Sequence, residues 1–183
     1  GNMLCDRFKV IDILSHGDEH SQTYQVEDIL GPKENYFFTA KRVLISSPNY
    51  DEILKNEKES RPLFNDNPYI GRFYSSHNEV PVGEVLLLEY IDAWTLEKWL
   101  SDEHKNKISS DVLYELVYVI GGVLRALRAI HDQKYVHGYI TPQSILVTRK
   151  TKDARLVSFD RCTLSTTPFS KREKEYRSHE KYN

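Results

Sequence analysis

The 183-residue sequence is short of most features that would place it in a specialised class. It has two cysteines, Cys5 and Cys162, and their wide separation gives neither a metal-ligand spacing nor a disulfide framework; they read as free thiols of a reducing, cytoplasmic compartment. No charge of one sign dominates. Charged residues make up 28% and the formal net charge at pH 7 is -2, which leaves no electrostatic footprint for nucleic acid or a membrane surface. Long hydrophobic runs are missing too: stretches 85–88 and 112–130 are too short or too interrupted by charge to span a bilayer, and the N-terminus lacks a signal-peptide core. Internal repeats and low-complexity tracts are absent, and Gly1-Asn2 ahead of Met3 reads as a cloning remnant. What remains is a 39% hydrophobic chain, long enough to bury a real core as one domain or one two-lobed unit.

Stretches 8–14, 23–30 and 36–44 are rich in β-branched and aromatic residues, with polar residues or Gly31-Pro32 between them, which is the pattern of an antiparallel meander. Residues 51–64 read as a charged helix with Ile53, Leu54, Leu63 and Phe64 as apolar contacts, ended by Asn65-Asp66-Asn67-Pro68. Two further strands follow near 72–77 and 84–89. The expected fold class is α+β, with a first lobe of five antiparallel strands plus one helix and a mainly helical second part. In that second part 95–100 is a short helical piece, and Ser109 or Ser110 caps a long amphipathic helix. Along this helix Leu113, Leu116, Val117, Ile120, Leu124, Leu127 and His131 recur at three-and-four spacing. Gly121-Gly122 in its middle predicts close packing against another element. Strands at 144–148 and 154–159 flank a polar turn, and 163–183 reads as an extended polar segment.

The run His137-Gly138-Tyr139-Ile140-Thr141-Pro142-Gln143-Ser144-Ile145-Leu146-Val147, followed by Leu156-Val157-Ser158-Phe159-Asp160, resembles the catalytic loop and metal-binding motif of protein kinases. In that family the pattern H-R-D-L-x-x-x-N supplies a proton-accepting Asp and a metal-binding Asn, and D-F-G supplies the magnesium-binding Asp. Here those positions hold Tyr139, Ser144 and Ser158, Gly138 stands for the Arg, and Thr141 stands for the Lys-like residue. A phenol with an ordinary pKa of about 10 is a poor proton acceptor near neutral pH, and a neutral hydroxyl is a poor metal ligand. His137 is expected to be a packed structural residue. Asp160 would reach the site only by a one-residue slip, which strand alternation argues against.

The resemblance extends over nearly the whole chain. Gly17 in Leu14-Ser15-His16-Gly17-Asp18-Glu19 is what survives of a glycine-rich loop, and Asp18 and Glu19 put negative charge where polyphosphate would lie. Lys41 in Phe38-Thr39-Ala40-Lys41 matches the phosphate-binding lysine, Glu57 its helix-borne partner, and Leu88-Glu89 the gatekeeper and the start of the hinge. The resemblance implies residues 1–90 as a small lobe and 91–183 as the hinge and first part of an incomplete large lobe, through the activation-segment region. It also implies a pseudokinase with no catalytic residue, no metal and no required cofactor, for which any nucleotide binding at Gly17, Lys41, Glu57, Leu88 and Glu89 is weak and metal-independent. Such a domain acts as a scaffold or allosteric regulator of a protein partner, an active kinase domain in the same polypeptide being one candidate, with no nucleic acid or membrane involved. The alternative is an atypical ATP-binding kinase or nucleotide transferase that uses Lys41, Glu57 and Asp160. A third reading is a plain interaction module.

Overall fold

Apolar residues that alternate along extended segments build the first half of the chain into one antiparallel sheet. The computed structural model describes residues 2–15, 21–31, 37–103 and 109–167. Its first six strands are β1 (Met3–Leu4), β2 (Phe8–Ser15), β3 (Ser21–Asp28), β4 (Phe37–Leu44), β5 (Phe73–Glu79) and β6 (Gly83–Glu89), in the order β1-β2-β3-β4-β6-β5. The expectation of five strands is corrected by β1, which pairs Met3 with Lys9 and Leu4 with Phe8. Two residues are too few to show a period. They are returned onto β2 by Cys5 and Asp6, both at positive φ (50° and 51°).

Both faces of the sheet bury apolar side chains. Leu4, Phe8, Val26, Ala40, Val85 and Leu87 form one apolar cluster, while Val43, Leu86 and Leu88 meet Leu54 of α1 (Tyr50–Ser60) in another. The helix expected over 51–64 is α-helical only to Ser60; Arg61–Phe64 tightens into a 3-10 turn. Pro62 explains the change, because it has no N–H to donate and its ring crowds the carbonyl four residues back.

Beyond β6 the chain forms β7 (Ala93–Thr95) and α2 (Leu96–Lys98), which runs into a π-type stretch at Trp99–Glu103. The long α3 (Ser110–Asp132) follows, then β8 (Tyr135–Val136), β9 (Ile145–Thr148), β10 (Ala154–Leu156) and β11 (Thr163–Leu164). β9 lies between β10 and β7, and β11 pairs with β8. The expected strand at 154–159 ends at Leu156. Ser109 caps α3, its Oγ accepting from Val112 N at 3.4 Å.

The buried face of α3 differs from the expected one. Val112, Val119, Gly122, Val123, Ala126 and Ile130 face the core, while Leu113, Val117, Ile120 and Leu124 are exposed. Both sets satisfy a helical period, so spacing alone could not rank them. Gly122 decides the packing side: a Cβ there would lie 2.9 Å from Ala154 Cβ and 3.0 Å from the Tyr69 ring, whereas Gly121 has nothing nearer than Arg125 Nη1 at 3.9 Å. The buried residues of α3 join Phe64, Ile70, Trp99, Val147, Leu156 and Phe159 in one core that runs up to the end of α1. Each fully buried large apolar side chain in it contributes roughly 1.5–3 kcal/mol. Among the described residues no helix is long and apolar enough to cross a membrane.

Candidate functional site at Lys41

β4 lies between β3 and β6, with Lys41 opposite Thr23 and Leu86. Its alternation sends Ala40 to one face and Lys41, with Val43, toward α1. On α1 the buried positions include Asn56, Glu57 and Ser60, and one turn further on lies the buried Arg61. Glu57 is fully buried and saturated: Oε1 accepts from Lys41 Nζ and from Phe159 N, both at 3.1 Å, and Oε2 accepts from Arg61 Nη1 at 3.1 Å. Arg61 in turn donates from Nε to Gly71 O at 2.7 Å and holds its guanidinium 5.5 Å from the Phe159 ring centre.

Asp160 enters the same site, which corrects the expectation that alternation would turn it away. Regular strand geometry has already ended at Leu156, and Ser158 has φ +65°, so the chain turns a corner where the period-two rule no longer applies. Phe159 is driven into the core against His137, with ring centres 4.9 Å apart, and Asp160 comes out with its Oδ1 hydrogen-bonded to Lys41 Nζ. Asn56 Nδ2 fixes the corner by donating to Asp160 O at 2.6 Å.

The charges tune one another. Burial works against the Lys41 ammonium, but Asp160 and Glu57 outweigh it and hold the group above its ordinary pKa. Burial also penalises the Glu57 carboxylate, yet Lys41 and Arg61 prevail and keep it well below the usual carboxylate range. At Asp160 the balance is reversed, because burial, helped by the neighbouring Glu57, raises the carboxyl despite the attraction of Lys41.

The loop at 137–144 is occupied with itself. His137 is buried, accepts from Tyr139 N at Nδ1 (3.2 Å) and lies 3.1 Å from Val157 O at Nε2, which assigns the proton to Nε2. Its burial lowers its pKa to about 4. Gly138 has φ +76° and passes so close to Arg161 that a Cβ would lie 2.6 Å from its carbonyl oxygen. Tyr139 lies under the Arg161 guanidinium, 4.7 Å from ring centre to Cζ. Ser144 is fully buried; its Oγ donates to Thr141 O at 3.0 Å and accepts from Thr141 N at 2.9 Å.

Leu88 is a core residue of β6, and the Glu89 carboxylate accepts from Arg72 N at 3.0 Å while Glu89 N donates to Arg72 O at 2.9 Å. Gly17, Asp18 and Glu19 lie outside the described residues. The structure therefore brings Lys41, Glu57 and Asp160 together, holds Tyr139 and Ser144 in a separate hydrogen-bonded loop, and keeps Leu88 in the core. Sequence reasoning missed Arg61 and Asn56. The Glu57-Arg61 spacing of four on a helix was the available signal for the first.

A magnesium-bound nucleotide does not fit these residues as they stand. The ammonium that would meet phosphate is already shared by two carboxylates, and the Ser144 hydroxyl is turned onto Thr141. Among the described residues no group of three or more His, Cys, Asp or Glu side chains is placed to hold a metal ion.

No protein-family model matches the sequence. The chain is similar in structure to the kinase PK-1 of the Cydia pomonella granulovirus, with a TM-score of 0.64 at 16% sequence identity. The match covers 88% of this chain and 57% of that one, so the chain spans little more than half the length of its neighbour. The chain has a protein-kinase-like α+β fold, and its curled antiparallel sheet corresponds to a kinase-like small lobe.

Proposed function

We propose that this chain is a catalytically inactive kinase-like domain, a pseudokinase, that serves as a scaffold or allosteric regulator of a protein partner, an active kinase domain in the same polypeptide being one candidate. The observation that carries the reading is the state of Lys41, whose ammonium is engaged by Glu57 and Asp160 while Tyr139, Ser144 and Ser158 stand where base and metal ligands would be needed. Phosphoryl transfer depends almost wholly on positioning and charge neutralisation by those groups. The Lys41-Glu57-Arg61 ties then act as a structural brace that holds α1 against the sheet and fixes the shape of the surface offered to a partner. The two free thiols suit a reducing, cytoplasmic setting.

That surface includes an open groove of about 360 Å³ between α1 and the segment around β11, lined by Lys55, Glu59, Tyr135 and Leu164 among others. Lys55→Glu is the cleaner probe of partner regulation, because Lys58 is tied to Glu84 at 2.6 Å and its reversal would also disturb the fold. The primary test is incorporation of radiolabelled phosphate. The wild-type chain is expected to transfer none to itself or to general kinase substrates; incorporation abolished by Lys41→Ala would sink the reading.

One observation favours the enzyme alternative: Asp160 does reach Lys41. If it serves an altered metal site, ATP with Mg²⁺ or Mn²⁺ will raise the thermal midpoint of the wild-type chain by several degrees and ATP alone will not, since ligands stabilise the state they bind.

A further inference from the structure

Lys41 and Arg61 contribute two positive charges to the buried cluster and Glu57 and Asp160 two negative ones, so the cluster is neutral as it stands. Exposure is graded across it. The Glu57 side chain is 0% exposed, Lys41 9% and Asp160 27%, which puts Asp160 on the solvent side. An anion approaching Lys41 from solution meets the Asp160 carboxylate first. The backbone that delivers this carboxylate is held by other contacts, namely Asn56 Nδ2 on the Asp160 carbonyl (2.6 Å), Phe159 N on Glu57 (3.1 Å) and the left-handed turn at Ser158. The carboxylate is thus placed on Lys41 by the corner itself.

We propose that Asp160 is a built-in counter-anion, whose carboxylate takes the place at Lys41 that a phosphate group of a polyphosphate ligand would fill and so closes the site until it swings away. The inference rests on the reading of the Lys41 site as a vestigial nucleotide site, and it adds that one side chain keeps the site closed. The ammonium itself keeps a donor for this role: it has three N–H groups, of which Glu57 uses one. Neutralising Asp160 leaves the cluster with a net positive charge and an open donor, which is what a phosphate oxygen needs.

The test compares wild type, Asp160→Asn and the double variant Asp160→Asn/Lys41→Met, each titrated calorimetrically with inorganic tripolyphosphate and with ATP in the presence of EDTA. Asp160→Asn is expected to bind both about ten-fold or more tightly than wild type, and the double variant to lose the gain. Asp160→Ser is measured alongside as a second neutral replacement. Equal affinity in wild type and the neutral variants, or a gain that survives loss of Lys41, overturns the proposal. A parallel titration with ATP and excess Mg²⁺ in place of EDTA completes the test: magnesium-dependent binding by wild type that Asp160→Asn loses also overturns the proposal, since Asp160 would then be a metal ligand. If circular dichroism shows that neither replacement folds, Asp160 belongs to the structural core and the proposal falls too. The pseudokinase reading fails on a different result, phosphate transfer by the wild-type chain.

Discussion

Two buried polar regions lie on either side of Phe159, and they are built from opposite materials. At Lys41 the partners are ions: a fully buried Glu57 satisfies two cations and a backbone amide. At 137–144 the partners are neutral. His137 is held between a backbone N–H and a backbone carbonyl, and Ser144 and Thr141 bond each other through side chain and main chain. The ionic region is costly to assemble and more costly to break, because removing one partner strands the others as buried charges. The neutral region stabilises less per group, and its weakness is protonation. Charge therefore serves here to brace the sheet against α1, while neutral hydrogen bonds shape the loop.

The contrast can be broken most forcefully at Glu57. Glu57→Gln keeps the shape but leaves Lys41 and Arg61 short of a counter-charge, and it is expected to destabilise the fold by about 3–5 kcal/mol, read from the shift of the urea unfolding midpoint. A loss under 1 kcal/mol would mean that the brace is ornamental.

The neutral region is tested by acid. His137 has a folded pKa of about 4 against an ordinary 6.5. Because the folded value is depressed, its contribution is fully present above pH 6.5 and is lost as pH falls through 4, a total of about 3 kcal/mol. His77 is also held below its ordinary value, by burial and by Arg7, and adds a slope of the same sign. The decisive measurement is thus the difference in pH dependence between wild type and His137→Gln, which should be shallower between pH 6.5 and 4.5. Identical slopes would show that His137 is protonated in the folded protein.

The smallest expected effect sharpens the comparison. Ser144→Ala leaves the Thr141 amide and carbonyl without their side-chain partner and should cost about 1–2 kcal/mol, clearly less than Glu57→Gln. Equal losses from the two variants would erase the distinction between the regions.

Much of this arrangement was legible in the sequence, and the illegible parts have physical causes. The long strands, the start of α1 and the Ser109 cap of α3 follow from local chemistry, and local chemistry is what a sequence states directly. The face of α3 that packs is a tertiary choice. Val119 is fully buried and Val117 is 69% exposed, although both satisfy the helical period. Lys41 and Glu57 could be picked out by their order along the chain, but Asp160 could not, since its place depends on the single positive φ at Ser158 that ends strand alternation. Arg61 lay inside the expected helix over 51–64, but one cation in a charged helix reads as a solvated residue, and its burial is a tertiary outcome.

The close passage of Gly138 beside the Arg161 carbonyl also limits what position 138 can hold. Any side chain at 138 must adopt a left-handed backbone that disfavours it and also displace the neighbouring strand of chain. An arginine placed at 138 would therefore have to push Arg161 and the corner before it aside, so the glycine sets the spacing of two chain segments and a charge cannot be returned to this position by a local change alone.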